Sequence, residues 1–364
     1  MTQRISFFIA RYSHSGVPLA QMRLAKAFLQ RGFKVDFVIG YVPLELTLPT
    51  DLGFAIVNLA QPRTFKLLWP IVRLIRSNQP DVIFSAEDHL NAVVTLAVLL
   101  VGSSARLSVS SRVTPYDTYS KKLMSKGWIL KLINPLLWQR ADALTCVSKD
   151  MVKQYQAIFG KTKHQAAYNV IVNSDLDRKK REGVDHPWFN DRKIPVVISA
   201  GRLAPEKGYP DLIAAMKLVN ERMPVRLLML GDGPLRGQLQ QSIDDAGLND
   251  RIQLLGFQAN PYKYYAQSRL FVLSSYLEGL PNVMVEAIAC GCAVVSTDCP
   301  TGPREVLQDG RFGRLVPVRS PQAMADAIVK TLATPLDAGE LKEAVFPFTE
   351  EQVVQMHQTA LGLC

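Results

Sequence analysis

Short apolar runs alternate with helical patterns along almost the whole chain, and the series occurs twice, on either side of a charged interruption. The first series reads Ile5 to Ala10, a helix from about Pro18 to Arg31, Lys34 to Ile39, a helix from about Lys66 to Asn78, and Val82 to Ser85. Further strands are expected at Arg106 to Ser110, Ala143 to Val147 and Ala166 to Ile171. Strand-length runs separated by helix-length segments indicate βαβ units and a parallel sheet. Asn173 to Lys193 breaks the rhythm with Asp-Leu-Asp, Arg-Lys-Lys-Arg, Gly183 and Pro187, and reads as an interdomain linker. The second series has strands at Pro195 to Ala200, Val225 to Leu230, Ile252 to Leu255, Leu270 to Leu273, Ala293 to Ser296 and Gly313 to Val316. With 364 residues, two domains are expected. The fold class is α/β, two Rossmann-like domains facing a central cleft, with 1–175 as the first, 176–193 as linker and 194–345 as the second.

Composition narrows the setting. The start, Met1 to Ala10, runs directly into an apolar strand without a small-residue cleavage site, so the mature protein is expected to begin here. The longest apolar stretch, Leu90 to Gly102, contains Asn91 and Thr95 and falls short of the roughly 20 residues of a membrane span. It is expected to be a buried helix. Five cysteines, Cys146, Cys290, Cys292, Cys299 and Cys364, show no C-x-x-C spacing, which speaks against a disulfide framework and fits a reducing cytoplasm. Cys290, Cys292 and Cys299 have no nearby histidine and read as small buried residues rather than metal ligands.

Charge is distributed unevenly: residues 1–175 carry a formal +11 and the remainder −1. Between His89 and Ala141 the one acid is Asp117, against Arg106, Arg112, Lys121, Lys122, Lys126, Lys131 and Arg140. Trp128, Leu130, Leu132, Ile133, Leu136 and Trp138 interleave with those cations, the composition of a basic amphipathic segment on an anionic membrane. A helix burying its apolar face in the domain core is the competing reading. Nucleic acid would suit the charge, but no nucleic-acid motif appears, so no nucleic-acid partner is expected.

Chemistry concentrates at the strand ends of the second series. Glu278 and Glu286 lie in Ser274-Ser-Tyr-Leu-Glu-Gly-Leu-Pro-Asn-Val-Met-Val-Glu286, where a strand ends in a polar loop and Leu280-Pro-Asn opens a helix. Ligands of open α/β sheets bind at that edge. Ionised carboxylates there can accept hydrogen bonds from sugar or ribose hydroxyls, although two surface acids would look the same. Gly201-Arg-Leu-Ala-Pro-Glu-Lys-Gly208 follows the first strand of this series; Arg202 and Lys207 could neutralise a diphosphate or be solvated. Gly231-Asp-Gly-Pro-Leu-Arg-Gly237 matches a dinucleotide fingerprint only loosely, since three residues precede the third glycine. Pro303, Arg304, Glu305 and Asp309-Gly310 form another loop after a strand.

Taken together, Gly201-Arg202 with Lys207-Gly208, Gly231-Asp-Gly-Pro234, Glu278-Gly-Leu-Pro-Asn-Val-Met-Val-Glu286-Ala, Gly291 and Gly302-Pro-Arg-Glu305 resemble the GT-B glycosyltransferases, in particular family four, which are retaining enzymes using nucleotide sugars. The resemblance covers nearly all of the chain. It implies an acceptor-side first domain, a nucleotide-sugar-binding second domain, and a closing helix, 346–364, that crosses back onto the first. Arg202 and Lys207 would hold the donor diphosphate, Glu278 would meet hydroxyls of the transferred sugar, and Glu286 would bind ribose. Gly201, Gly231, Gly279, Leu280, Pro281, Asn282 and Val283 would line the donor site. In the first domain, Gly16 of Tyr12-Ser-His-Ser-Gly-Val17 matches the family's glycine loop, with one glycine where relatives often have two. His89, in Ser85-Ala-Glu-Asp-His89-Leu-Asn-Ala92, corresponds to the active-site histidine. A metal-like arrangement of Glu87, Asp88 and His89 can be drawn, but distant ligands are missing and sugar contact is preferred.

The activity so implied is retaining transfer of a hexose or N-acetylhexosamine from a nucleotide sugar, with UDP the expected nucleotide, to a saccharide or lipid-linked acceptor in polysaccharide or glycoconjugate synthesis. Arg202, Lys207 and helix amides could stabilise the leaving diphosphate, so no metal and no cofactor is expected. Asp175 and Asp177 form a D-x-D pattern but sit in the linker and read as surface charge. Arg112, Lys121, Lys122, Lys126, Trp128 and Lys131 are expected on the acceptor or membrane side, placing the protein peripherally on the inner face of the plasma membrane. Alternatives are a noncatalytic nucleotide- or glycan-binding partner of the same fold, and a phosphorylase or epimerase.

Overall fold

The computed structural model describes residues 2–13, 16–49, 52–119, 122–191, 193–334 and 338–363. Two compact units emerge, Met1–Val170 with Glu350–Cys364, and Ile171–Thr349.

In the first unit the described strands are β1 (Arg4–Arg11), β2 (Lys34–Tyr41), β3 (Ala55–Asn58), β4 (Val82–Ala86), β5 (Arg106–Ser111), β6 (Ala143–Cys146) and β7 (His164–Ala166). They form one sheet ordered β3-β2-β1-β4-β5-β6-β7, every pairing parallel. Helices in every connection but that from β2 to β3 cover its faces, which is why β1 and β4 are apolar runs rather than alternating ones. Phe7 stacks on Phe84 with ring centroids 4.7 Å apart and on Phe37 at 6.1 Å, joining β2, β1 and β4. The closing helix Glu350–Leu361 belongs to this unit. Its His357 is buried edge-on against Phe84, and Glu350 meets Arg31 at 3.0 Å. Burial pulls the His357 imidazole down to about 3, so it packs as a neutral ring.

The second unit repeats the plan with β8 (Val196–Ala200), β9 (Arg226–Leu230), β10 (Ile252–Gly256), β11 (Leu270–Leu273), β12 (Ala293–Thr297) and β13 (Arg314–Val316). Its parallel order is β10-β9-β8-β11-β12-β13. Strand order reverses between β1 and β4 in the first sheet and between β8 and β11 in the second. A crevice opens at the carboxyl end of each reversal, because the flanking helices depart on opposite faces. These two places receive the loops described below.

Several expectations are corrected. Ala166 to Ile171 is not a strand beyond Ala166: Ala167 donates to the Cys146 carbonyl, while Ile171 and Val172 donate to Phe348. β3 has no counterpart in the expected series. Residues 176–193 do not stand apart as a linker; Ser174–Lys179 and Pro187–Asn190 are helical, and Trp188 is buried within the second unit. Asp177 of the D-x-D pattern pairs with Lys180 at 2.6 Å. Leu90 to Gly102 is a helix, Asp88–Val101, buried along one face at Leu90, Val94, Ala97 and Val98 but exposed along another at Leu96, Leu99 and Leu100. Among the described residues no helix is long and apolar enough to cross a membrane.

Candidate functional site

The second unit's crevice is built from two loops. The first leaves β8 at Gly201 and runs through a single turn, Pro205–Lys207, to Gly208, where the helix Tyr209–Asn220 begins. Its course is fixed from both sides. Gly231, at φ 131°, lies so close that a Cβ there would collide with the Gly201 carbonyl oxygen, and a Cβ on Gly233 would sit 2.5 Å from that of Leu203. On the other flank a Cβ on Gly208, at φ 61°, would collide with the Ser274 carbonyl oxygen. Ser274 Oγ donates to the Lys207 carbonyl at 2.8 Å, and Tyr276 N to that of Glu206 at 2.8 Å. Glycine is demanded here by backbone meeting backbone, which is the structural meaning of both glycine motifs.

The second loop leaves β11 and carries Glu278. Lys207 Nζ stands 2.6 Å from Glu278 Oε1, with the two side chains 20% and 9% exposed. Ser275 Oγ donates to the same oxygen at 2.6 Å, while Thr301 Oγ1 donates to the Glu278 carbonyl. Gly302, at φ 90°, packs against Pro281, where a Cβ would come within 2.6 Å of Cδ. The segment Gly279-Leu280-Pro281 is thus clamped, with Leu280 and Pro281 buried. Pro281 is the cap of the helix Asn282–Ala289 and not part of its first turn. Asn282 N donates to Leu280 O, whereas Met284 and Val285 N reach Pro281 O; Asn282 and Val283 are half-buried at the helix mouth. Glu286 is buried one turn further on, near enough to raise the neighbouring Tyr265 hydroxyl, whose pKa is lifted first by its own burial.

Burial followed by the proximity of Glu278 also lifts the Tyr209 hydroxyl above its ordinary range and pushes the Cys299 thiol up to about 12. Both therefore stay protonated beside the carboxylate. Arg202 does not join this cluster. Its guanidinium pairs with Glu206 at 2.7 Å and its side chain is 68% exposed. Nothing in the sequence marks Ser275, Thr301 or Tyr209: hydroxyls are common, and only the fold brings Ser275 to the Glu278 carboxylate, Thr301 to its backbone carbonyl and Tyr209 close to it.

The first unit's crevice lies between β1 and β4. Gly16 opens the helix Gly16–Gln30 and is exposed; its neighbours His14 and Ser15 lie outside the described residues. After β4, Glu87 adopts φ 79°, a conformation costly for a side-chain-bearing residue and concentrated at functional sites. Its amide donates to Ser110 O and its carbonyl accepts from Leu90 and Asn91, so the turn is held from several directions. Asp88 is buried and accepts from Ser111 Oγ at 2.7 Å and Tyr155 OH at 2.8 Å. His89 Nε2 lies 3.8 Å from Glu87 Oε2. Burial, then Asp88, pushes Glu87 up to about 7; burial, then Lys126, brings His89 down to about 4. Near neutral pH the loop presents a neutral imidazole beside a carboxyl poised to titrate.

The basic segment divides. Arg112 is buried, hydrogen-bonded to Asn169, and brought down to about 10 by burial, so it is an internal cation and not a membrane contact. Arg112 and Lys126 both act electrostatically on Glu87. Lys126 and Lys122 are exposed, Trp128 and Lys131 half-buried, and Lys121 lies outside the described residues. Among the described residues no group of His, Cys, Asp and Glu is arranged to hold a metal ion.

Comparison with known proteins follows the same division. Residues 15–168 match the family model for a glycosyl transferase 4-like domain, and residues 194–334 that for glycosyl transferases group 1. An uncharacterized glycosyltransferase of Methanocaldococcus jannaschii is 33% identical over 66% of this chain and 63% of its own length. The N-acetylgalactosamine-N,N'-diacetylbacillosaminyl-diphospho-undecaprenol 4-alpha-N-acetylgalactosaminyltransferase of Campylobacter jejuni is 31% identical over 69% of this chain and 66% of its own length. The chain thus spans just under two thirds of these relatives. A solved Anabaena protein, HepE in complex with UDP, superposes over the full length of both chains with a TM-score of 0.79 at 20% identity, which establishes the shared fold.

Proposed function

The chain belongs to the group 1 glycosyltransferases and has the GT-B fold, and from that premise we propose that it moves a hexose or N-acetylhexosamine from a nucleotide sugar to a saccharide hydroxyl in polysaccharide or glycoconjugate synthesis. The observation that carries the reading is the ammonium–carboxylate pair of Lys207 and Glu278, 2.6 Å apart at the sheet reversal of the second unit. A nucleotide sugar offers one group for each: a diphosphate for the cation and sugar hydroxyls for the carboxylate. An ammonium has three donors, so Lys207 can bond a phosphate oxygen while keeping its bond to Glu278. UDP is the proposed nucleotide, supported by the likeness to a fold that takes UDP in the Anabaena protein.

Departure of the diphosphate concentrates charge on its leaving oxygen. Lys207 and the amides at the mouth of the helix Asn282–Ala289 stabilise that charge without a divalent ion. Glu278 orients the sugar, and Glu286, from inside its helix, reads the ribose. His89 contributes a neutral ring to the transferred sugar. The proposed outcome is retention, with the departing phosphate assisting removal of the acceptor proton. Arg202 is assigned to the outer phosphate, reached by exchanging Glu206. The acceptor is proposed to be lipid-linked, as the name of the Campylobacter relative states for that protein, and the protein to lie on the anionic inner face of the plasma membrane.

A panel of nucleotide sugars, assayed for transfer and hydrolysis with and without EDTA, tests the reading. Turnover of one UDP-sugar that survives EDTA, giving a product of unchanged anomeric configuration, is expected. Phosphate-dependent cleavage, or no turnover with any donor despite UDP binding, would replace it with a phosphorylase or a noncatalytic partner.

A further inference from the structure

Two helices of the first unit carry apolar side chains on the outside. In Lys126–Leu137 the exposed residues are Ile129, Leu132, Ile133 and Leu136, spaced three and four apart along one face, with Leu136 69% exposed. In Asp88–Val101 they are Leu96, Leu99 and Leu100, at the same spacing, with Leu99 49% exposed. The two helices pack against each other, and each carries its exposed apolar residues as a stripe and not singly. Isolated exposed leucines are ordinary; seven in two matched stripes mark an interaction surface.

The surroundings specify the occupant. Thr64–Leu67 and the helix Leu68–Asn78 pack against Asp88–Val101 and expose Phe65 and Trp69 beside Lys66, Arg73 and Arg76. Residues 52–80 contain no acid, and within the two striped helices the one acid, Asp88, is buried. An apolar face with an aromatic and cationic border complements the boundary between acyl chains and anionic headgroups. Neither helix is long enough to cross.

We propose that these two helices form a hydrophobic insertion face that seats the chain in the outer few ångströms of an anionic bilayer, the cations adding to a binding driven mainly by apolar insertion. The inference deepens the glycosyltransferase reading and rests on it for one consequence. The helix Asp88–Val101 starts at the His89 loop, and ten residues of helix place Leu99 about 15 Å from His89 along its axis. An acceptor anchored by its lipid beside that stripe is then held within about 15 Å of the His89 loop, measured along the helix.

Sedimentation with phosphatidylglycerol/phosphatidylcholine vesicles at low and at high salt tests this directly and needs no donor. The parent is expected to stay bound at 1 M salt, where screening acts beyond about 3 Å. Leu132→Glu/Leu136→Glu and Leu99→Glu/Leu100→Glu should each reduce partitioning by about tenfold or more, with unchanged circular dichroism. Variants that sediment like the parent, or complete release of the parent by salt, would overturn the proposal. So would light scattering that shows a dimer broken by Leu132→Glu, which would give the face to a second copy. UDP titration of the same variants reads the donor site separately, so failure there counts against the enzyme reading and not the membrane face.

Discussion

Replacing Lys207 by alanine separates two things its ammonium does, holding Glu278 in place and stabilising charge on a departing phosphate. At 2.6 Å, with side chains 20% and 9% exposed, the pair falls between two regimes. Exposed pairs contribute about 0.2–1 kcal/mol, whereas breaking a fully buried pair costs about 3–5 kcal/mol. An intermediate loss of about 1–3 kcal/mol is expected, with Ser275 still donating to Glu278 at 2.6 Å. For a unit of about 150–250 residues this corresponds to a fall in Tm of roughly 2–12 °C. Lys207→Ala/Glu278→Gln removes the orphaned carboxylate and should recover most of that loss, a coupling of about 0.5–3 kcal/mol. Turnover should not follow stability. Loss of a preorganised charge at the leaving group lowers kcat by about 10²–10³, and Glu278→Gln restores none of it. Thermal unfolding of the four members of the cycle, with turnover of the donor found in the panel, gives both readouts. Arg202→Ala serves as the contrast, since an exposed pair with Glu206 predicts a stability change below about 1 kcal/mol. A double variant that regains parental kcat would refute the assignment, as would a folded Lys207→Ala turning over within about threefold of the parent.

Two further perturbations address the supporting structure. Because Glu87 keeps its proton up to about 7 in the folded chain but releases it near 4.5 when unfolded, it contributes stability below pH 4.5 that is lost as pH rises to 7; Glu87→Gln should gain on the parent by about 1–3 kcal/mol across that window. His89, brought down to about 4, slopes the other way in both proteins, and a Glu87→Gln difference that does not change between pH 4.5 and 7.5 in urea titrations would contradict the assignment. Gly231→Ala, forced against Gly201, should cost about 2 kcal/mol or more and weaken UDP binding, whereas Gly237→Ala, with nothing within 4 Å, should do neither; calorimetric titration with UDP compares them, and equal behaviour would reject the role given to the seam.

The parallel sheets were legible because strands buried on both faces are continuous apolar runs, as in Val196–Ala200 and Leu270–Leu273. Ala55–Asn58 leaves little signal because it is a four-residue edge strand, only partly buried. Ala167 to Ile171 is buried and largely apolar like a strand, but beyond Ala166 it forms no ladder, Ala167 donating to the end of β6 at Cys146 and Ile171 to Phe348. Leu90 to Gly102 differs for the opposite reason: an apolar run reports hydrophobicity, and an exposed apolar helix face has the same signature in sequence as a core one. At the site, resemblance pointed to Lys207 and Glu278, but their direct pairing follows from β11 lying next to β8. The division of the basic residues into a buried Arg112 and exposed lysines could not be read from charge counts at all.

The strand order β10-β9-β8-β11-β12-β13 also governs when the site can exist during folding. Lys207 and Glu278 are separated by 71 residues, and β9 and β10 lie between them in sequence but on the far side of β8 in space. Their contact is of high order and must await the arrival of β11 on the edge of β8 that the earlier strands leave uncovered. The pair is thus a late reporter of assembly. A ligand that needs both residues, as the proposed nucleotide sugar does, binds only chains in which the two halves of the sheet have joined, so it stabilises the finished domain without rewarding partly folded forms.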